Sequence, residues 1–290
     1  MKRPEDGHVT LNGTGFRYRD WGDQGQPVVL LHGLASTSHI WDLVAPLLSS
    51  DFAVVALDQR GHGESDKPAT GYDFATVARD LQSFVDALGL QNPIVVGHSW
   101  GGNVAVEHAA TYPSAALGIC LLDGGTIEIS AWPDMSLARA REELAPPDFT
   151  GVTLDELRER SKGRDWGFEI TAEVERIMLS NFEVLEDGTL RARFPRRHHM
   201  TIIDEMWKHR PSELLSSIEC PVLLMPTRRT TNNTDLEQER KERAVKRAGA
   251  LLPVSKTVWF DDSVHDVPLQ RPEAVARVIT EHIRGGFFDT

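Results

Sequence analysis

Pro93-Ile94-Val95-Val96-Gly97-His98-Ser99-Trp100-Gly101-Gly102 is the stretch on which the fold turns. The β-branched run Ile94 to Val96 reads as a buried strand, and the residues from Gly101 to about Thr111 read as a helix. Between them stands the pattern G-x-S-x-G. Alone it recurs by chance, but between a strand and a helix it describes a nucleophile elbow, a sharp turn that lifts the serine oxygen clear of the sheet. Gly97 and Gly101 leave room for that backbone. The helix N-terminus adds positive potential where an oxyanion would form. Ser99 is therefore the candidate nucleophile.

Outward from the elbow, strand and helix signals alternate. Residues 8 to 22 form a hairpin pattern, and PVVLLHG at 27 to 33 and FAVVALD at 52 to 58 read as buried parallel strands. A helix is expected between them, from about Ser38 to Leu48. Asp73 to Leu88 is an amphipathic helix with Val77, Leu81, Phe84 and Leu88 on one face, Asp73 as N-cap and Gly89 just past its end. ALGICLLDGG at 116 to 125 is a further strand. From 126 to about 218 the apolar runs give way to charged helical stretches (137 to 144, 154 to 160, 172 to 181) and a hairpin at Asp187-Gly188. The alternation then resumes. PVLLM at 221 to 225 is followed by a charged helix from about Asp235 to Ala250, the strand VSKTVWF at 254 to 260 and a helix from Pro272 to Ile283. This is the pattern of an α/β protein with a mostly parallel sheet covered on both faces. Residues 1–125 and 219–290 form the core, and 126–218 are an insertion.

Composition narrows the possible partners. The chain has 290 residues, 40% of them hydrophobic, and a formal net charge of -12, which argues against nucleic acid or an anionic membrane as partner. The N-terminus lacks the apolar core of a signal peptide, and no apolar run is long enough to span a bilayer, so the expected location is cytoplasmic. Cys120 and Cys220 lie in or beside strand-like runs, without a Cys/His cluster, and read as structural thiols; neither a metal nor a cofactor is expected.

A serine hydroxyl needs a base to take its proton. The chain has 11 histidines, and His265 stands out by lying in the loop between the final strand and helix, at the carboxyl edge of the sheet. The base in turn needs an acid to orient it. Asp123 ends the strand GICLLD, and the order Ser99, Asp123, His265 suits such a triad. The more usual place is the loop after the next strand, where the nearest carboxylate is Asp235, so both residues stand as candidates. Two backbone N–H groups, of Trp100 and Leu34, are candidates for the oxyanion hole, with Gly33 permitting a tight approach. His32 is expected to brace its loop, and His98 to point away from Ser99. The run Asp58 to Ser65 is expected to hold the active-site floor. Arg196, Arg197, His198 and His199 read as a solvated charged face. Trp132, Trp166, Phe168, Phe182 and Trp207 are candidates for the substrate pocket, some of them serving the insertion's own core.

HGLAST, DQRGHGES, GHSWGG and HDVPLQRPEAVARVI together resemble the α/β-hydrolase superfamily along nearly the whole chain. The resemblance implies that residues 126–218 form a helical cap over the active site. Trp100 after the nucleophile is similar to epoxide hydrolases and haloalkane dehalogenases, and an acid after the sixth strand also occurs in some dehalogenases. Those enzymes use an aspartate nucleophile, whereas this chain has Ser99. The departure points to acyl transfer from a small carboxylic ester to water. A carbon–carbon bond hydrolase, a lactonase, a perhydrolase and a non-catalytic binding protein of this fold remain alternatives.

Overall fold

The structure, a computed structural model, describes residues 3–22, 24–162, 164–229 and 236–289. Asp235 lies outside the described residues. Eight strands form the central sheet: β1 (Glu5–Leu11), β2 (Thr14–Asp20), β3 (Pro27–Leu31), β4 (Ala53–Leu57), β5 (Ile94–His98), β6 (Gly118–Leu122), β9 (Val222–Met225) and β11 (Ser255–Thr257). Short pairs β7 (Phe182–Val184) with β8 (Leu190–Ala192), and β10 (Thr227–Arg228) with β12 (Phe260–Asp261), lie apart from it. The sheet order is β1-β2-β4-β3-β5-β6-β9-β11. The opening hairpin is antiparallel and β2 meets β4 antiparallel; from β4 to β11 every pairing is parallel. This is the α/β-hydrolase fold.

The period-2 alternation of strand side chains builds two cores. Val29, Leu31, Val55, Leu57, Val95 and Leu121 join one cluster, with Val77, Leu81 and Phe84 of the helix Phe74–Ala87 and Val104 of the helix Trp100–Thr111. Val28, Leu30, Val54, Ala56, Val96 and Leu122 join the other, with Val275, Val278 and Ile279 of the helix Pro272–Arg284. Each fully buried large side chain contributes roughly 1.5–3 kcal/mol, which is why both faces must be covered. Asp73 caps its helix by accepting the Thr76 N–H at 2.8 Å.

Two expected elements are broken. The helix expected over 38–48 is a 3₁₀ turn, Ser38–Trp41, followed by a separate short helix, Ala45–Leu48. Pro46 has no N–H to bond back to Asp42 and would crowd its carbonyl, so a continuous helix cannot form. The last strand divides into β11, on β9, and β12, on β10. Pro226 interrupts the neighbouring ladder at that point, having no N–H of its own, while its carbonyl accepts the Phe260 N–H.

Between β6 and β9 lie the helices Leu137–Glu143, Leu154–Lys162, Ala172–Leu179 and Arg196–Lys208, with the β7–β8 hairpin among them. This segment between β6 and β9 meets the rest of the chain through specific contacts. His198 Nδ1 lies 2.8 Å from the Tyr72 hydroxyl, the Thr37 and Ser180 hydroxyls are 2.9 Å apart, and Phe194 stacks on His62. Among the described residues no helix is long and apolar enough to cross a membrane.

Candidate active site

β5 delivers Ser99 at its end, and the helix Trp100–Thr111 begins at the next residue. Ser99 has φ 55° and ψ −123°, a region that costs a non-glycine residue about 1–3 kcal/mol. The surroundings hold it there. Its N–H donates to the Leu122 carbonyl at 3.0 Å, and its carbonyl accepts the Gly102 N–H at 2.9 Å. A Cβ on Gly97 would overlap the Gly101 carbonyl, and one on Gly124 would overlap the Ser99 carbonyl, so the elbow closes only with glycine at both positions.

Ser99 Oγ–H donates to His265 Nε2 at 2.8 Å, and His265 Nδ1–H donates to Asp123 Oδ2 at 2.6 Å. Asp123 stands just beyond β6 at φ 44°, pinned by its own N–H donating to the Met225 carbonyl. Its side chain is 2% exposed, whereas that of His265 is 52% exposed. Burial alone would raise the Asp123 pKa. The His265 hydrogen bond and the charges of His265 and Lys241 outweigh it, so the carboxyl lies well below its ordinary range and stays ionised. Desolvation by the protein packed against the half-exposed ring opposes a charge on His265, but the bond to Asp123 and its field win, and the pKa stands above the ordinary histidine value.

Leu34 and Trp100 line the same cavity as Ser99 and His265. Trp100 is the first residue of its helix, so its N–H has no acceptor within the helix. Gly33 lets the two loops approach, since a Cβ there would stand 3.0 Å from Ser99 Cβ. The loop carrying Leu34 is braced from the Asp58–Ser65 run. Gln59 N–H donates to His32 Nε2 at 3.0 Å, Gln59 Nε2 donates to the His32 carbonyl at 2.7 Å, and Ala35 N–H donates to His62 Nε2 at 3.3 Å. Burial lowers the pKa of both His32 and His62, which keeps them neutral braces.

The cavity holds about 680 Å³. Of the five aromatic residues expected in the pocket, Trp132 lines it, with the Arg240 guanidinium 3.7 Å from its ring centroid. The other four do not. Trp166 Nε1 donates to the Ser161 carbonyl, Phe182 packs edge-on against Phe149, Phe168 packs on the core that holds Val28 and Leu30 and Trp207 on the core that holds Val29 and Leu31. The apolar lining comes instead from Ile127, Ile129, Leu144, Ile203, Met206 and Val245. His199, Ile203 and Met206 share one face of the helix Arg196–Lys208. That helix corrects a second expectation. His198 and His199 are buried, and only Arg196 and Arg197 of the four form an exposed face, because residues this close on a helix point in different directions.

Three contacts at the site were not anticipated. His98 Nε2–H donates to the His265 carbonyl at 2.8 Å. The Thr227 N–H donates to Asp123 Oδ1 at 3.0 Å. Lys241 Nζ reaches the same carboxylate. Thr227 could have been suspected from its place in the loop after PVLLM; Lys241 sits in a run of mixed charges that gives no signal.

Comparison with known proteins agrees with this architecture. A family model described as the alpha/beta hydrolase fold matches residues 26–200. A bifunctional esterase/perhydrolase of Acinetobacter calcoaceticus is 27% identical over 96% of this chain and 99% of its own. A non-heme chloroperoxidase of Streptomyces lividans is 41% identical over 35% of this chain and 38% of its own. The matches to that protein and to three other curated relatives cover only 34% to 54% of those proteins. The crystal structure of an E-2-(acetamidomethylene)succinate hydrolase superposes with a TM-score of 0.78 at 22% identity, covering 97% of this chain and 99% of that one, a likeness of fold. With the family model matched along residues 26–200, well over half its length, the chain belongs to the α/β-hydrolase family.

Proposed function

We propose that this protein is a serine hydrolase that cleaves a small carboxylic ester through an acyl-enzyme. One observation carries the reading: the hydrogen-bonded line Ser99–His265–Asp123 ends at a cavity that Leu34 and Trp100 also line. His265 takes the Ser99 proton as the oxygen attacks the ester carbonyl. The Leu34 and Trp100 N–H groups receive the oxyanion, a term worth about 2.7–4 kcal/mol per donor in a serine protease. His265 then protonates the leaving alcohol, and water activated by the same imidazole releases the acid. The segment 126–218 acts as a cap, supplying Trp132, Leu144, Ile203 and Met206 to the apolar wall. The Acinetobacter relative, matched along nearly its whole length and named for esterase and perhydrolase activity, supports an ester substrate.

A fluorophosphonate should label Ser99 and no other serine, and Ser99→Ala should remove both labelling and turnover of p-nitrophenyl esters while the protein stays folded. Labelling elsewhere overturns the nucleophile. Labelling at Ser99 with turnover of a diketone panel but not of esters would move the activity to carbon–carbon bond hydrolysis.

A further inference from the structure

A buried carboxylate beside a histidine poses an electrostatic problem that the triad by itself does not solve. Asp123 has a side chain only 2% exposed, and its charge must be met by donors. The structure supplies a cation from an unexpected direction. Lys241, on the helix Leu236–Leu251, places Nζ 2.9 Å from Asp123 Oδ1 and 3.1 Å from Oδ2. The ammonium is itself held, donating to Thr227 Oγ1 at 3.1 Å and to the Thr227 carbonyl at 3.3 Å. With the Thr227 N–H on Oδ1 and His265 on Oδ2, both carboxylate oxygens are engaged and the group is locked in place.

We propose that Lys241 is a positioning residue of this site: it fixes the Asp123 carboxylate against His265 and, by its charge, sets how far toward acid pH His265 remains usable as a base. The inference rests on the reading of Ser99, His265 and Asp123 as the triad. A carboxylate alone beside an imidazole favours the imidazolium and so withholds the base at mildly acid pH. An ammonium on the far side of the same carboxylate opposes that effect. The other charged or titratable groups facing His265 are Asp123, Asp266 and the neutral ring of His98. Arg229, Glu237, Arg240 and His199 line the cavity beyond. Among the described residues Lys241 is thus the cation that touches the acid itself. The loop after β9, the usual source of the acid in this architecture, supplies Thr227 in its place, and the lysine fills the space between loop and carboxylate.

The test uses the full-length protein with Lys241→Met, Lys241→Gln and Lys241→Arg. The His265 imidazole is titrated by NMR, and kcat/KM for a p-nitrophenyl ester is measured from about pH 5 to about pH 10, spanning the histidine range. Removing the charge, by Met or by Gln should Met not fold, should move the His265 titration to higher pH. It should also lower kcat/KM on the order of tenfold on the acid limb, with a smaller loss on the alkaline plateau. Lys241→Arg should restore both. An unchanged His265 titration in Met, Gln and Arg variants alike overturns the proposal, as does a loss of kcat/KM equal at every pH. The titration needs no substrate. Failure of the esterase reading would therefore show as an unlabelled Ser99 or absent turnover in the unmutated protein, and would be told apart from failure here.

Discussion

His98 Nε2 donates to the carbonyl oxygen of His265 at 2.8 Å, so the residue before Ser99 holds the backbone of His265. The His98 ring is buried, and burial, with the neighbouring His265, keeps it neutral. His98→Phe removes the donor while keeping an aromatic ring of similar width. A base displaced by about 1 Å can cost about 10²-fold, so kcat should fall by tenfold to that order while KM changes little. His98→Gln, which can still donate, should recover part of the rate. Steady-state kinetics beside circular dichroism checks this; equal kcat in all three proteins would show that the bond is dispensable.

Asp123→Asn should keep the fold and lose turnover. The amide can accept only at its oxygen, and it favours the histidine tautomer that cannot take the serine proton. The corresponding change in a serine protease costs about 10⁴-fold. Asp235→Asn should be close to silent. Turnover of one activated ester by both variants at neutral pH decides between the two carboxylates; the reverse ranking would transfer the acid to the later loop.

The pH profile has a definite sign. His265 must be neutral to accept a proton, and its pKa is raised above the usual 6.5, with burial opposed and outweighed by Asp123. Below that raised value kcat/KM should fall about tenfold per pH unit, so the acid limb lies above the position an unperturbed histidine would give. Above it the rate should level off, because His265 is then neutral and Asp123, ionised throughout, adds no further titration. A rate constant with pH from about 5 to about 8, across the ordinary histidine range, would remove His265 from the mechanism.

Trp132 lines the cavity with its indole, so Trp132→Ala should enlarge it and shift preference toward longer acyl or alcohol chains. Each added methylene that finds apolar wall is worth about 0.8 kcal/mol, enough to reorder a graded ester series. Phe182→Ala lies away from the cavity, against Phe149, and should leave the order of preference unchanged while lowering thermal stability. A chain-length order that moves with Phe182 and not with Trp132 would mean that the pocket is lined differently in solution.

The strands, the elbow and the order of Ser99, Asp123 and His265 were legible in the sequence because their causes are local. β-branched runs, a glycine on each side of a serine, and a loop histidine after the last strand each depend on a few adjacent residues. The two breaks were legible only in part, since Pro46 and Pro226 act through the partners they fail to bond. What occupies the space around Asp123, and what walls the cavity, was decided by tertiary structure. Thr227, in β10, and Lys241, in the helix Leu236–Leu251, reach the acid from two elements beyond β9, and nothing in LEQERKER distinguishes that lysine from its charged neighbours. Likewise, aromatic size between β6 and β9 pointed to Trp166, Phe168, Phe182 and Trp207, yet which side of a helix or loop faces the cavity is set by how that segment packs on the rest of the chain. That packing depends on contacts such as His198 with Tyr72 and Phe194 with His62, between residues far apart in the chain. Sequence periodicity records that a face is buried, while only the packed fold decides against what.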